Sequence, residues 1–235
     1  MTTQPLSLPR VLIVMVTKDH VHPKCMASVL SQDYKNYSTL IHVMKPRKTH
    51  KNKFMEQSMN VAENKELARK MALGSDAEYF FFVDSDIVLP KNATSELVLQ
   101  LTAKKADPKL VRYVEKSLKV KCVYKQKHAI AGYYPLKDDK AEWIAGRFIA
   151  DNLITRLRKV EPSVNRIDFA GLGCMMVSRA LLEKAQIRDG TDKFVKTSDG
   201  QVVFLDDSLD FCNQIFELGH QLWADGSVVC KHLKQ

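Results

Sequence analysis

The sequence is informative first for what it lacks. Nowhere do apolar residues run for anything near the ~20 positions that a membrane-spanning helix needs. Met1 to Pro9 lacks the basic start and long apolar stretch of an export signal, and the run from Val11 to Val16 is too short to form the core of one. The expected setting is therefore the cytoplasm, or a host's equivalent compartment, with no integral membrane segment. The five cysteines, Cys25, Cys122, Cys174, Cys212 and Cys230, are odd in number, scattered and never spaced C-x-x-C. That pattern argues against a disulfide framework or a zinc knuckle and predicts buried reduced thiols. No G-x-x-x-x-G-K-[ST] stretch is present to cradle phosphates, and no G-x-G-x-x-G follows the first apolar run, so neither a P-loop nor a dinucleotide fold is expected. Internal repeats and low-complexity tracts are absent too.

Acid is scarce in two places. Lys45 to Lys53 carries five basic residues (Lys45, Arg47, Lys48, Lys51 and Lys53) and no acid, and Lys104 to Lys127 is basic apart from Asp107 and Glu115. These stretches together carry more positive charge than the formal net charge of +9, so the rest of the chain is slightly acidic. Basic clusters of this kind attract phosphates, nucleic acids or anionic surfaces, or else form solvated helix faces. The remaining composition, 45% hydrophobic and 27% charged over 235 residues, suits one α/β domain with a sizeable core. Residues 1–100 and 129–235 read as its two halves, with 101–128 a basic excursion between them.

The order of elements is legible from hydrophobic patterning. Val11 to Val16 is a fully apolar run, which reads as a buried central strand ending in Thr17-Lys18-Asp19. Pro23 to Gln32 reads as a helix, with Pro23 in its first turn, and Thr39 to Val43 as a second strand. Met55, Met59, Ala62, Leu67 and Met71 recur at helical spacing between Phe54 and Leu73, and Gly74 ends the pattern. Tyr79 to Val83 is the strongest strand in the chain. Thr94 or Ser95 is the expected cap of the next helix. Further strands are expected over Ala129 to Tyr134, Cys174 to Val177 and Val202 to Leu205. Ser178 is placed to cap a helix reaching about Ala185, Asp189 to Gly200 reads as a polar loop, and a helix following Asp206-Asp207 closes at Gly219. Leu222 to Ala224 and Val228 to His232 read as two short strands. Alternating strands and helices predict a mainly parallel sheet with helices on both faces.

Asp84-Ser85-Asp86 follows Phe80-Phe-Phe-Val83 directly. Two carboxylates beside a core are costly unless a cation compensates. Hard oxygen ligands suit Mg²⁺ or Mn²⁺, whose remaining positions are commonly filled by substrate phosphates. Asp206 and Asp207 stand at a helix start, where acids serve either as caps or as a general base, and one of the pair can do each job. His232, near the end of the chain, could complete a metal shell as a neutral imidazole. Gly171 and Gly173 permit either close approach to a ligand or tight packing.

Taken in order, these blocks resemble GT-A-fold glycosyltransferases, especially the small family-2-like enzymes of bacteria and large viruses. The matching blocks are Thr17-Lys18-Asp19, the helix segment Asn60-Val-Ala-Glu-Asn-Lys-Glu-Leu-Ala68, Phe80-Phe-Phe-Val-Asp-Ser-Asp86, Phe169-Ala-Gly-Leu-Gly173 and Leu205-Asp-Asp-Ser-Leu-Asp-Phe-Cys212, with His232 last. Glu63 stands where the family commonly has Arg. Asp207 lies four residues before Phe211, where the family usually has three, which leaves Asp206, Asp207 and Asp210 as candidates for the base. The resemblance implies a GT-A fold and a nucleotide-diphosphate sugar donor, bound by Thr17, Asp19, Asn64, Asp84, Ser85 and Asp86. It implies Mn²⁺ or Mg²⁺ held by Asp84, Asp86 and His232, with Asp207 as the favoured base and Asp206 beside it. Gly171 and Gly173 then lie on the acceptor side. The implied acceptor is a glycan or protein hydroxyl; the basic segments add a hydroxylated base in DNA as an alternative. A nucleotidyltransferase would show a glycine-rich loop after the first strand, and Thr17 to Lys24 has no glycine. A non-catalytic nucleotide-sugar-binding module has no need of Asp84 and Asp86.

Overall fold

The computed structural model describes residues 8–45, 51–103, 126–136, 142–150, 153–197, 200 and 202–233. Most of the basic stretch from Lys104 to Lys127 lies outside these residues, as do Arg47, Lys48, His50 and Cys122.

A seven-stranded sheet forms the centre. Its strands are β1 (Val11–Thr17), β2 (Tyr37–Val43), β3 (Tyr79–Asp84), β5 (Ala129–Tyr133), β8 (Val164–Ile167), β10 (Cys174–Ser178) and β13 (Leu222–Val229), in the order β2-β1-β3-β10-β5-β13-β8. Five strands run one way; β10 and β8 run against their neighbours. The sheet is thus mostly parallel, with a central reversal at β10.

The apolar runs of β1 and β3 are buried on both faces, and alternate residues enter different cores, as strand geometry requires. Leu12, Val14, Phe80 and Phe82 pack in one layer with Ala68 and Ala72 of helix α2 (Lys53–Leu73) and with Phe211 and Ile215 of helix α5 (Asp207–Glu217). Val11, Ile13, Phe81 and Val83 pack in the other with Cys25 and Val29 of α1 (Pro23–Leu30) and Leu97 and Leu101 of α3 (Ala93–Thr102). Helices therefore cover both faces, as the alternation of elements predicts. A short helix, α4 (Arg179–Leu182), follows β10 and is capped by Ser178, whose hydroxyl accepts from Leu181 N.

Several expectations need correction. Met71 is 50% exposed, whereas Ala62, Ala68 and Ala72 are buried. The inward face of α2 is therefore rotated away from the methionine stripe and carries Lys65 and Arg69. Helix α3 begins at Ala93 with Asn92 in the cap position and no side-chain cap from it. Thr94 lies inside the helix, where its N–H and hydroxyl both donate to Gln32 Oε1 at 2.9 Å; a side chain from the segment just after α1 thus does the capping work expected of Thr94 or Ser95. Asp189 to Gly200 is largely a strand, β11 (Gly190–Thr197), rather than a loop. It lies in a second sheet of order β12-β11-β7-β6-β9, with β6 (Ala145–Ala150), β7 (Leu153–Arg156), β9 (Phe169–Ala170) and β12 (Val202–Leu205). Backbone pairing with β12 and β7 satisfies β11 without an apolar repeat. The segment after Leu222 runs to Val229 as one strand with a register shift after Asp225.

Four cysteines, Cys25, Cys174, Cys212 and Cys230, are buried free thiols, as their spacing predicts. Among the described residues no helix is long and apolar enough to cross a membrane.

Candidate functional site

β3 ends at Asp84, and the turn Ser85-Asp86 leads into β4 (Ile87–Val88). The last strand, β14 (Lys231–His232), pairs antiparallel with β4 and sets His232 opposite Ile87. Leu233 N donates to Asp86 O at 3.0 Å, which fastens the end of the chain to the acidic turn. His232 Nε2 lies 3.5 Å from Asp86 Oδ2. Its Nδ1 is 2.8 Å from the Pro135 carbonyl. A carbonyl oxygen only accepts, so Nδ1 carries the hydrogen and donates it. The ring is thereby oriented with Nε2 towards Asp86.

Asp84 points elsewhere. Its Oδ1 lies 3.5 Å from Lys65 Nζ. The same ammonium stands 2.8 Å from Asp207 Oδ2, an ionic contact rather than an aligned hydrogen bond. Lys65 and Asp207 are buried. Burial alone would lower the pKa of Lys65, but Asp207 and Asp84 override it and hold the ammonium well above the ordinary lysine range.

The Asp206-Asp207 pair divides its roles. Asp206 is the cap of α5: its Oδ1 accepts from Ser208 N at 3.1 Å and Leu209 N at 2.9 Å. Its dehydrated surroundings and the neighbouring Asp207 push its pKa up to about 6. The residue as a whole still reaches solvent. Asp207, in the first turn, turns inward to Lys65. Asp210 is held by Arg188 Nε at 3.1 Å and Gln214 Nε2 at 2.8 Å.

Gly171 and Gly173 serve close packing around this site. A side chain on Gly173 would run into the Asp84 carboxylate and the Tyr134 hydroxyl, and one on Gly171 would strike Tyr134 and Ile144. Tyr134 is the buried hub: its hydroxyl accepts from Gly173 N at 3.1 Å, and its ring meets His232 edge-on with centroids 5.6 Å apart.

In the loop after β1, Thr17 is buried and its hydroxyl donates to His20 O at 2.6 Å, which closes that loop. His22 N donates to Ser85 O at 2.9 Å, tying that loop to the acidic turn, and Asp19 is exposed on it. Asn64, expected at the nucleotide, is hydrogen-bonded within the chain. Its amide nitrogen donates to Lys45 O at 3.1 Å and Asn60 O at 2.8 Å. Its oxygen is 3.1 Å from Lys45 N and 3.0 Å from His42 Nε2. All four of its hydrogen-bonding positions are consumed inside the chain, so it fastens α2 to the segment after β2.

The structure thus brings together Asp86 with His232, and Asp84 with Lys65 and Asp207. Among the described residues no three His, Cys, Asp or Glu side chains converge on one point. An Asp carboxylate beside an oriented imidazole nonetheless fits Mn²⁺ or Mg²⁺, which would take its remaining ligands from a diphosphate. Lys65 and Tyr134 were not singled out by sequence reasoning. The phase of Ala62, Lys65, Arg69 and Ala72 on α2 is the signal that would have found the first; none identifies the second.

No family model matches the sequence, and neither does any curated protein. Among solved structures, the chain is similar to A197 from STIV, with a TM-score of 0.54 at 18% identity, over 96% of this chain and 86% of that one. It is also similar to GalNAc-T7, solved with UDP, GalNAc and Mn²⁺, with a TM-score of 0.54 at 11% identity. That match covers 98% of this chain but only 45% of the other. At such identities the likeness is one of fold, and the fold is GT-A-like.

Proposed function

We propose that this protein is a metal-dependent glycosyltransferase, moving a hexosyl or pentosyl group from a UDP- or GDP-type sugar to an acceptor hydroxyl with inversion. The observation that carries this reading is the meeting of four separate stretches beyond the C-terminal end of the central strand β3: the Asp84-Ser85-Asp86 turn, Lys65 of α2, Asp207 of α5 and His232. The fold shared with a transferase solved with UDP and Mn²⁺ supports it.

In this reading Asp86 and His232, with Asp84 beside them, hold Mn²⁺ or Mg²⁺, which offsets charge on the leaving diphosphate when bound. The loop bearing Thr17 and Asp19 and the backbone of Ser85 flank the nucleotide. Asp207 takes the acceptor's hydroxyl proton as the acceptor oxygen forms its bond to the anomeric carbon. The bond from that carbon to the diphosphate oxygen breaks, and its electron pair leaves with the nucleoside diphosphate. Asp206 caps α5 and so aims Asp207. The proposed acceptor is a glycan or protein hydroxyl.

Thermal unfolding against a panel of UDP-, GDP-, dTDP- and CMP-sugars, with Mn²⁺ or with EDTA, tests the donor site. A ligand at ~100 times its Kd adds about 2.7 kcal/mol, or several degrees for a domain of this size. The expected result is a shift with one nucleotide class that disappears in EDTA and in Asp86→Ala. No shift with any member of the panel would overturn the reading.

A further inference from the structure

Helix α2 brings one charged nitrogen to the place where the two acidic pairs approach each other. Lys65 is in phase with the buried alanines Ala62, Ala68 and Ala72, so the helix itself delivers the side chain inward. Asp84 and Asp207 are far apart in the chain, on β3 and α5, yet each presents a carboxylate oxygen to this nitrogen, at 3.5 Å and 2.8 Å. Asp84 is confined from its other side by Gly173, where no side chain fits. Asp207 is confined by the helix that Asp206 caps. Lys65 is thus the link between the two carboxylates.

We propose that Lys65 is a positioning residue, whose ammonium fixes Asp207 relative to Asp84 so that the group meeting the acceptor stands in register with the group meeting the donor. This rests on the glycosyltransferase reading above. Lys65 itself transfers no proton and touches no reacting atom. It acts through Asp207, and loss of register on an ångström scale is enough to slow the chemical step.

The test compares wild type with Lys65→Met, Lys65→Arg, Asp207→Asn and the double variant Lys65→Met/Asp207→Asn. The substrate is whichever of the UDP-, GDP-, dTDP- or CMP-sugars the wild type consumes, with Mn²⁺ present and water as acceptor. Binding of the corresponding nucleoside diphosphate is measured alongside turnover. The expected result is that Lys65→Met binds the nucleotide within about threefold of wild type but loses about 100-fold in kcat, the size of a general-base contribution. Lys65→Arg should recover part of the loss. The double variant should lose no more than the worse single variant, because the two residues act as one unit. If Lys65→Met does not fold, the double variant, which removes both buried charges together, and Lys65→Arg carry the comparison. An active wild type whose kcat survives Lys65→Met, or a double variant whose losses multiply, overturns the proposal alone. A wild type that neither binds nor consumes any member of the panel overturns the glycosyltransferase reading, and this proposal with it.

Discussion

The two acidic pairs are built on opposite plans. Asp84 and Asp86 leave the end of a buried strand, where the backbone offers them little. Asp206 and Asp207 enter a helix, where unpaired N–H groups favour a carboxylate. Each pair nevertheless sends one member to Lys65 and keeps the other for a different partner. Asp84 and Asp207 share the ammonium. Asp86 faces His232, and Asp206 accepts the N–H groups of α5. The lesson is that an acidic pair is resolved by what stands opposite each oxygen. The strand-end pair has a histidine and the shared ammonium. The helix-start pair has a cap bond and an internal amine.

Removing the shared cation should produce the largest effect. Lys65→Met leaves Asp207 buried without its partner, and breaking one side of a buried ion pair costs about 3–5 kcal/mol. Urea denaturation should show that loss, and Lys65→Met/Asp207→Asn should regain much of it, since a neutral pair carries no uncompensated charge. Equal stability of the single and double variants would show that Lys65 does not hold the two pairs together. Gly173→Ala comes next. Its Cβ has no space beside Asp84 and Tyr134, and overpacking of this kind costs about 1–3 kcal/mol. It should also weaken nucleotide binding while leaving the helix-start pair intact. Asp206→Ala removes a cap worth about 1 kcal/mol and should perturb only that helix-start pair.

The contrast between the pairs also explains what could be read in advance. Phe80-Phe-Phe-Val83 announces a strand because a fully apolar run has few other fates, so the position of Asp84 and Asp86 at its end was legible. The cap at Asp206 was legible for the same local reason. Lys65 was not, because the methionines of α2 suggest a stripe that the tertiary packing rejects: Met71 is half exposed and the alanines face inward. Asn64 shows the converse. Its residue type suits a ligand contact, but only the structure reveals that Lys45, Asn60 and His42 already use every bond it can make. Of the second sheet only β12 was legible, because β7 and β11 carry no alternating apolar signal and are held by backbone pairing, β7 with β6, β11 with β12, and the two with each other. Tyr134 escaped because one tyrosine at the end of a strand looks like any other.

The smallest effect expected is in pH dependence, and it separates the members of the helix-start pair. Asp206 has its pKa raised in the folded protein, from 3.8 to about 6, first by dehydration and then by Asp207. The folded state therefore holds this proton more tightly than the unfolded chain does. Stability from this group is fully present below the unfolded value, falls as pH rises through the interval between roughly 4 and 6, and is constant above it. That slope is opposite to the usual carboxylate case, in which a lowered folded pKa makes stability fall on acidification. Because the residue reaches solvent, screening should keep the slope shallow. Urea midpoints measured at steps from pH 4 to pH 7 should show this component in wild type and lose it in Asp206→Asn, which retains a side-chain oxygen to cap α5. An identical pH profile in the variant would mean that Asp206 titrates as an ordinary surface carboxylate. The helix-start pair would then owe its unusual electrostatics to Asp207 and Lys65 alone.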